Sequence, residues 1–262
     1  MGRPFWKHSL IALLCAVGAL APLAVGADVP QPPLVAQADL GAVVSRIVEL
    51  TNQTRAQNGV GPLQPVSYLA NAATSHSKEM IDLNYFSHTS PTPGRAQPKM
   101  RIQLAQGWDT RIGENIYRAQ GIPVAGLADR AMAAWLKSPS HFKNLVDPSF
   151  NSIGIGIVPK GDEFAITQNF SNQTIVVKKL QASPGSGGYE MVLQGQVREG
   201  SREGALFVNN AFKETFTADG NGGFELRASA PAGSQLSVSQ KKPGTNSYSQ
   251  NLAFPIEAGL AR

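Results

Sequence analysis

The 262-residue chain contains a single cysteine, Cys15, which lies inside an apolar N-terminal stretch. One thiol makes no intramolecular disulfide framework and no thiolate cluster, so disulfide-stapled scaffolds and cysteine zinc ribbons are excluded. Histidine is scarce too, with four residues, and none stands in an HExxH arrangement. No GxSxG turn occurs either, so the local patterns of zincins and α/β-hydrolases find no match. Charge is sparse at 16%, and the formal net charge is +5. Arg3 and Lys7 precede the first acidic residue, Asp28, so loss of a leader leaves 21 basic against 18 acidic residues, or +3. So mild a balance carries no argument for nucleic acid.

The residues present are those of a folded, exported chain. At 42% hydrophobic the sequence has enough apolar surface for a core. Its start, "MGRPFWKHS", is short and cationic, "LIALLCAVGALAPLAVG" is apolar, and "VGADV" offers small residues near Gly26 and Ala27. That order predicts a secretory signal peptide over 1–27, with no stable membrane anchor after cleavage. The expected location is secreted, either extracellular or periplasmic. A mature chain without disulfides must rest on its own core, which suits a bacterial envelope.

A Pro-rich lead-in covers 28–39. From Leu40 to Asn58, Val44, Ile47, Val48 and Thr51 recur at helical spacing, and Asn58-Gly59 is a left-handed stop. A second helix carries Leu69, Ala73, His76, Met80 and Leu83 on one stripe, until "HTSPTPGRAQPK" breaks it. Helices are also predicted over Lys99–Gln106 and Leu127–Lys137. "SIGIGIV" and "EFAITQNF" read as strands, with Ile153, Ile155 and Ile157 on one face and Gly154 and Gly156 on the other. The expected domains are 40–174, mixed α and β, and 189–262, all β, joined by a flexible linker over 175–188 whose end is "QASPGSGG". Six short strands with Asn-Asn, Asp-Gly and Pro-Gly turns between several of them predict a small sandwich in the second domain.

With His8 in the leader, His76, His88 and His141 remain, all in the first domain. His76 sits on the apolar stripe and reads as a core histidine bonded to a backbone oxygen. His88 in "NYFSHTSP" and His141 in "SPSHFKN" sit where helices end and side chains can enter a cleft. Glu114 in "RIGENIY" reads as a turn or helix start. Spacing alone assigns no site to these residues.

In order, "LTNQTRAQNGVGPL", "LANAATSHSKEM", "NYFSHTSP", "GENIY", "AWLKSPSHFKNLVDPSFNSIGIGIV" and "FAITQNF" resemble the CAP superfamily of cysteine-rich secretory proteins, antigen 5 and pathogenesis-related 1. The likeness is strongest to its bacterial, disulfide-free, SCP-like extracellular branch and runs from about Leu40 to Phe170. The resemblance implies an α+β fold: a CAP α-β-α sandwich with a central cleft, followed here by the small all-β domain. That second domain loosely resembles bacterial Ig-like or carboxypeptidase-regulatory-like modules through "FTADGNGGFELRASAPAG".

The family's cleft carries two histidines and two glutamates and often binds a divalent metal, usually zinc. Carried over by motif, the metal ligands are His88 and His141, and the first glutamate, a candidate catalytic residue, is Glu114. Near the second glutamate's position the chain has Ser138 in "AWLKSPSH", so a four-group acid–base machine is in doubt. The expectation is that His141, just past a helix, faces His88 over room left by the glycine face of the strand. Two imidazoles with water would complete a Zn2+ site, or one for another divalent metal, that weakens below pH ~6 as imidazoles protonate.

Three functions fit the resemblance. One is a secreted binding module for a glycan, lipid or anionic polymer, with Arg95, Lys99, Arg101 and Arg111 against Asp109 as a basic rim. Another is a zinc-assisted hydrolase with Glu114 as base. The third is a structural or adhesive envelope protein.

Overall fold

A computed structural model describes residues 37–256. The expected leader over 1–27 and the lead-in up to residue 36 lie outside the described residues. Among those described, no helix is long and apolar enough to cross a membrane.

The first half is a four-stranded sheet between helices. Helix α1 spans Gln37–Gln57 and ends as its sequence dictates: Gly59 takes φ +70° and the Val60 N–H reaches back to the Arg55 carbonyl at 2.9 Å. Helix α2, Ser67–Asp82, buries Leu69, Ala73, His76 and Met80 on its predicted stripe. Helix α3 is Pro98–Leu104, α4 is Val124–Lys137 and α5 is Pro139–Leu145. The strands are β1 (Gln64–Pro65), β2 (Ile112–Gln120), β3 (Ser152–Lys160) and β4 (Glu163–Ser171), in the order β1-β3-β4-β2. Only the β1–β3 pair is parallel.

The Gly/Ile alternation decides which helix covers which face. Ile153, Ile155 and Ile157 join a core with Ile47 of α1 and Leu127 and Trp135 of α4. On the other face α2 lies directly on the backbone. A Cβ at Gly154 would stand 2.2 Å from the Ala70 nitrogen, and one at Gly156 2.0 Å from the Thr74 nitrogen. The glycine face therefore seats α2. It leaves no room beneath His141, contrary to the sequence expectation, because a strand without Cβ atoms lets a helix settle closer than any side chain would.

Arg55 locks the end of α1 to distant loops. Only 1% exposed, it donates through Nε to the Gly61 carbonyl (2.6 Å), through Nη1 to those of Leu145 (2.9 Å) and Asp147 (3.0 Å), and through Nη2 to that of Phe150 (2.8 Å).

The second half is all β. Strands β5 (Ile175–Gly185), β6 (Gly188–Val197) and β9 (Gly223–Ala230) form one sheet in the order β5-β6-β9. Strands β7 (Glu203–Val208), β8 (Ala211–Thr217), β10 (Gln235–Lys241) and β11 (Tyr248–Pro255) form another in the order β11-β10-β7-β8. Leu180, Leu193, Leu206, Val238 and Phe254 belong to the core shared by the two sheets. Asn209 and Asn210, both at positive φ, make the two-residue β7–β8 hairpin. The expected linker over 175–188 is instead β5 and its hairpin turn, with Ile175, Val177 and Leu180 buried and Gly185 paired to Gly188. Its Gly, Ser and Pro content marks a hairpin end with one solvated face, which composition cannot tell from a tether. The two halves form one compact unit.

Candidate functional site

The candidate residues meet at β2, an edge strand of the first sheet. "IGENIYRAQ", read as a turn or helix start, is that strand. Alternate residues of β2 face opposite layers: Ile116 packs with Met80 of α2, while Asn115 reaches the first turn of α5. Glu114 therefore lies on the α2 side, where His88 arrives in the segment after α2.

The Glu114 carboxylate is held from two sides. Its side chain is 2% exposed, Oε1 lies 2.9 Å from His88 Nδ1, and Oε2 accepts from Arg101 Nη2 at 2.7 Å. Arg101, 1% exposed, also donates to the backbone oxygens of His88 (3.1 Å), Arg95 (2.9 Å) and Ala96 (3.2 Å). The guanidinium thus neutralises the carboxylate and pins the loop that carries His88. With Nδ1–H donated to Glu114, the His88 Nε2 lone pair is free, and the ring is about half exposed.

His141 approaches from the opposite layer. It lies in the first turn of α5, not past the end of a helix as its sequence suggests, because Ser138 both ends α4 and starts α5. Asn115 Nδ2 donates to the His141 carbonyl (3.3 Å), and Asn144 Nδ2 donates to the Glu114 carbonyl (3.1 Å) and Asn115 Oδ1 (2.9 Å), tying α5 to β2. The His88 and His141 ring centroids are 6.2 Å apart, with planes at 52°. Burial, then the neighbouring His88, pushes the His141 pKa below the ordinary imidazole value. Ser138, near the place of the second glutamate, is half-buried and faces the Ser140 hydroxyl at 3.2 Å.

His76 is the core histidine its stripe predicts. Its Nε2 faces the Ser87 carbonyl at 3.1 Å, its Nδ1 faces the Tyr85 hydroxyl at 3.3 Å, and burial pushes its pKa down to about 4. It comes no closer to Glu114 than 3.9 Å, and its nitrogens are occupied.

The pair His88/His141 fits a metal in part. Two imidazoles on one tetrahedral zinc, at ~2.0–2.1 Å per nitrogen, put their centroids roughly 5 Å apart. The observed separation is about an ångström wider, within reach of a side-chain swing. Among the described residues no group of three or more His, Cys, Asp or Glu is arranged to hold a metal ion.

The reading of a basic rim changes here. Arg101, taken as one charge in a basic rim, is buried against Glu114, while Arg95 is bound by Glu79 and Arg111 by Asp147. Lys99 and Arg111 are the exposed members of the set. No sequence signal singled out Arg101, Asn115 or Asn144.

Comparison with known proteins agrees with the ordered motifs. The family model for the cysteine-rich secretory protein family, CAP, matches residues 48–170. The uncharacterized protein YkwD of Bacillus subtilis (strain 168) is 36% identical over 135 residues, covering 52% of this chain and 49% of that protein. The uncharacterized membrane protein YlbC of the same organism is 32% identical over 126 residues, covering 48% of this chain and 33% of that protein. This chain therefore spans about half the length of the first and a third of the second. A solved extracellular protein containing an SCP domain, from Bacillus anthracis, is 33% identical with a TM-score of 0.46, covering 54% of this chain and 45% of that one.

Proposed function

The chain belongs to the cysteine-rich secretory protein family through residues 48–170, and from that premise we propose that it is an exported binding protein whose cleft holds a divalent cation, zinc first, between His88 and His141. The carrying observation is the orientation of His88: a buried carboxylate takes its Nδ1–H, so Nε2 stands free 6.2 Å, ring to ring, from His141. A zinc so held keeps open positions that bind an oxygen or nitrogen of a ligand. Glu114 serves as the orienting partner of His88, and Arg101 sets the charge of that partner. Both Glu114 oxygens are engaged, so a role as base for hydrolysis finds no support.

The ligand class narrows by charge. With Arg101 buried against Glu114, Arg95 beside Glu79 and the exposed Arg111 paired with Asp147, an anionic polymer finds a reduced basic rim, and a neutral glycan or a lipid is the better candidate. The N-terminal pattern of 1–27 supports export. The C-terminal region is proposed to be an Ig-like sandwich, a reading supported by three strands packed on four in the orders β5-β6-β9 and β11-β10-β7-β8.

Equilibrium dialysis with zinc tests the metal reading. The wild type and a His76→Gln control should bind zinc, while His88→Ala and His141→Ala should not. Unchanged stoichiometry in both alanine variants rejects it.

A further inference from the structure

Both ends of the segment Pro98–Glu114 lie in the candidate site, and its middle lies in the C-terminal sandwich. Arg101, near the start, and Glu114, at the end, form the buried ion pair behind His88. Between them Gln106 turns through φ +64° and Gly107 runs so close to α2 that a Cβ there would stand 2.3 Å from the Tyr68 ring. The chain then delivers Trp108, 4% exposed, into the core of the sandwich, with its ring 5.5 Å from that of Phe254.

Main-chain bonds secure the insertion. The Ala253 N–H donates to the Trp108 carbonyl at 3.0 Å, Asp109 pairs antiparallel with Leu252, and Thr110 Oγ1 donates to the Gln250 carbonyl at 2.8 Å. The segment thereby extends the sheet beyond β11. The Asp109 carboxylate turns back to accept from the Tyr68 hydroxyl of α2. After Thr110, only Arg111 separates this clasp from β2, three positions short of Glu114.

We propose that the C-terminal sandwich is a positioning element for the His88–Glu114 pair, acting through Trp108. A packed core is stiff, so an indole fixed in one fixes the short chain on either side of it. The sandwich thus holds α3 and the start of β2, and with them the Arg101 guanidinium and the Glu114 carboxylate that orient His88. Trp108 acts through other residues, so it is a positioning residue.

The test uses the full chain without metal and reads amide hydrogen exchange over Glu114–Ile116 together with the imidazole nitrogen resonances of His88. Trp108→Ala should speed that exchange by about tenfold or more, equivalent to ~1.4 kcal/mol of protection, and shift the His88 resonances. Trp108→Phe should restore most of both. Leu226→Ala, which opens the same core from β9, should weaken the sandwich and leave the site unmoved. Equal effects from Trp108→Ala and Leu226→Ala, or no effect from Trp108→Ala, overturn the proposal. If Trp108→Ala does not fold, Thr110→Val decides it: faster exchange at Glu114 supports the coupling, and unchanged exchange overturns it. The inference rests on His88 and Glu114 being the site, yet its measurements need no zinc, so failure to bind metal and failure of coupling are separate results.

Discussion

Replacing Arg101 with methionine removes a charge from the most enclosed ion pair of the site while keeping an unbranched stem. The guanidinium donates to Glu114 Oε2 at 2.7 Å and to three backbone carbonyls at 2.9–3.2 Å. Its loss strands a carboxylate that is 2% exposed. Breaking a buried pair from one side costs ~3–5 kcal/mol, because the remaining charge loses its counter-ion and cannot hydrate, with only the His88 Nδ1–H left to bond it. The freed carbonyls add part of the ~0.5–1.5 kcal/mol each that such bonds contribute. A loss of about 4 kcal/mol is expected, about a quarter or more of the ~5–15 kcal/mol that holds an ordinary domain together. In urea unfolding followed by circular dichroism, the midpoint should drop by about 1.5–2 M for a slope near the upper end of the usual ~1–3 kcal/mol per molar. The double variant Arg101→Met/Glu114→Leu should recover much of this, because replacing both charges leaves nothing stranded. A cost below about 1 kcal/mol for Arg101→Met, or a double variant equal to the sum of the singles, refutes the account.

Other substitutions probe the frame around the site. Gly154→Ala and Gly156→Ala push a methyl to 2.2 and 2.0 Å from the α2 backbone. Each should cost at least the ~1–3 kcal/mol of ordinary overpacking, seen as a thermal midpoint lowered by ~2–4 °C per kcal/mol. His76, held at about 4 against an ordinary 6.5, leaves a proton for the unfolded chain alone to bind between those values. Its contribution is complete above pH 6.5 and is lost as the pH falls toward 4, by up to roughly 3 kcal/mol. Urea titrations at pH 7, 5 and 4 should give a shallower acid loss in His76→Phe than in the wild type. Zinc affinity should weaken on acidification, with His141 giving up its share at lower pH than an ordinary imidazole because burial lowers its pKa. Isothermal titration across pH 7.5–5 checks the order, and a loss complete before an ordinary histidine titrates contradicts it.

Elements with one dominant period were legible in the sequence. The α2 stripe, the Gly/Ile strand and the six later strands all lie where 3.6- or 2-residue spacing puts them. Strand β2 escaped because α3 and the end of α2 lie against one of its faces and α4 and α5 against the other, so "IGENIYRAQ" shows no clean alternation. Helix α5 escaped because Pro139 reads as a break, although proline is also a favoured first residue of a helix. The histidines entered through ordered motifs, and the convergence of their rings is a property of the fold alone. Arg101 could not be told from its neighbours, since its burial depends on a carboxylate that the chain brings back thirteen residues later.

Arg55 has a consequence for the medium the protein tolerates. Its partners are peptide oxygens of Gly61, Leu145, Asp147 and Phe150, which neither titrate nor recruit counterions. Brine that dissolves an exposed pair such as Arg46–Glu49 leaves this joint intact, and so does acid that neutralises carboxylates. The stitching of the α1 end to the α5 loop therefore depends on salt and acidity only through the charge of the nearby Asp147 carboxylate.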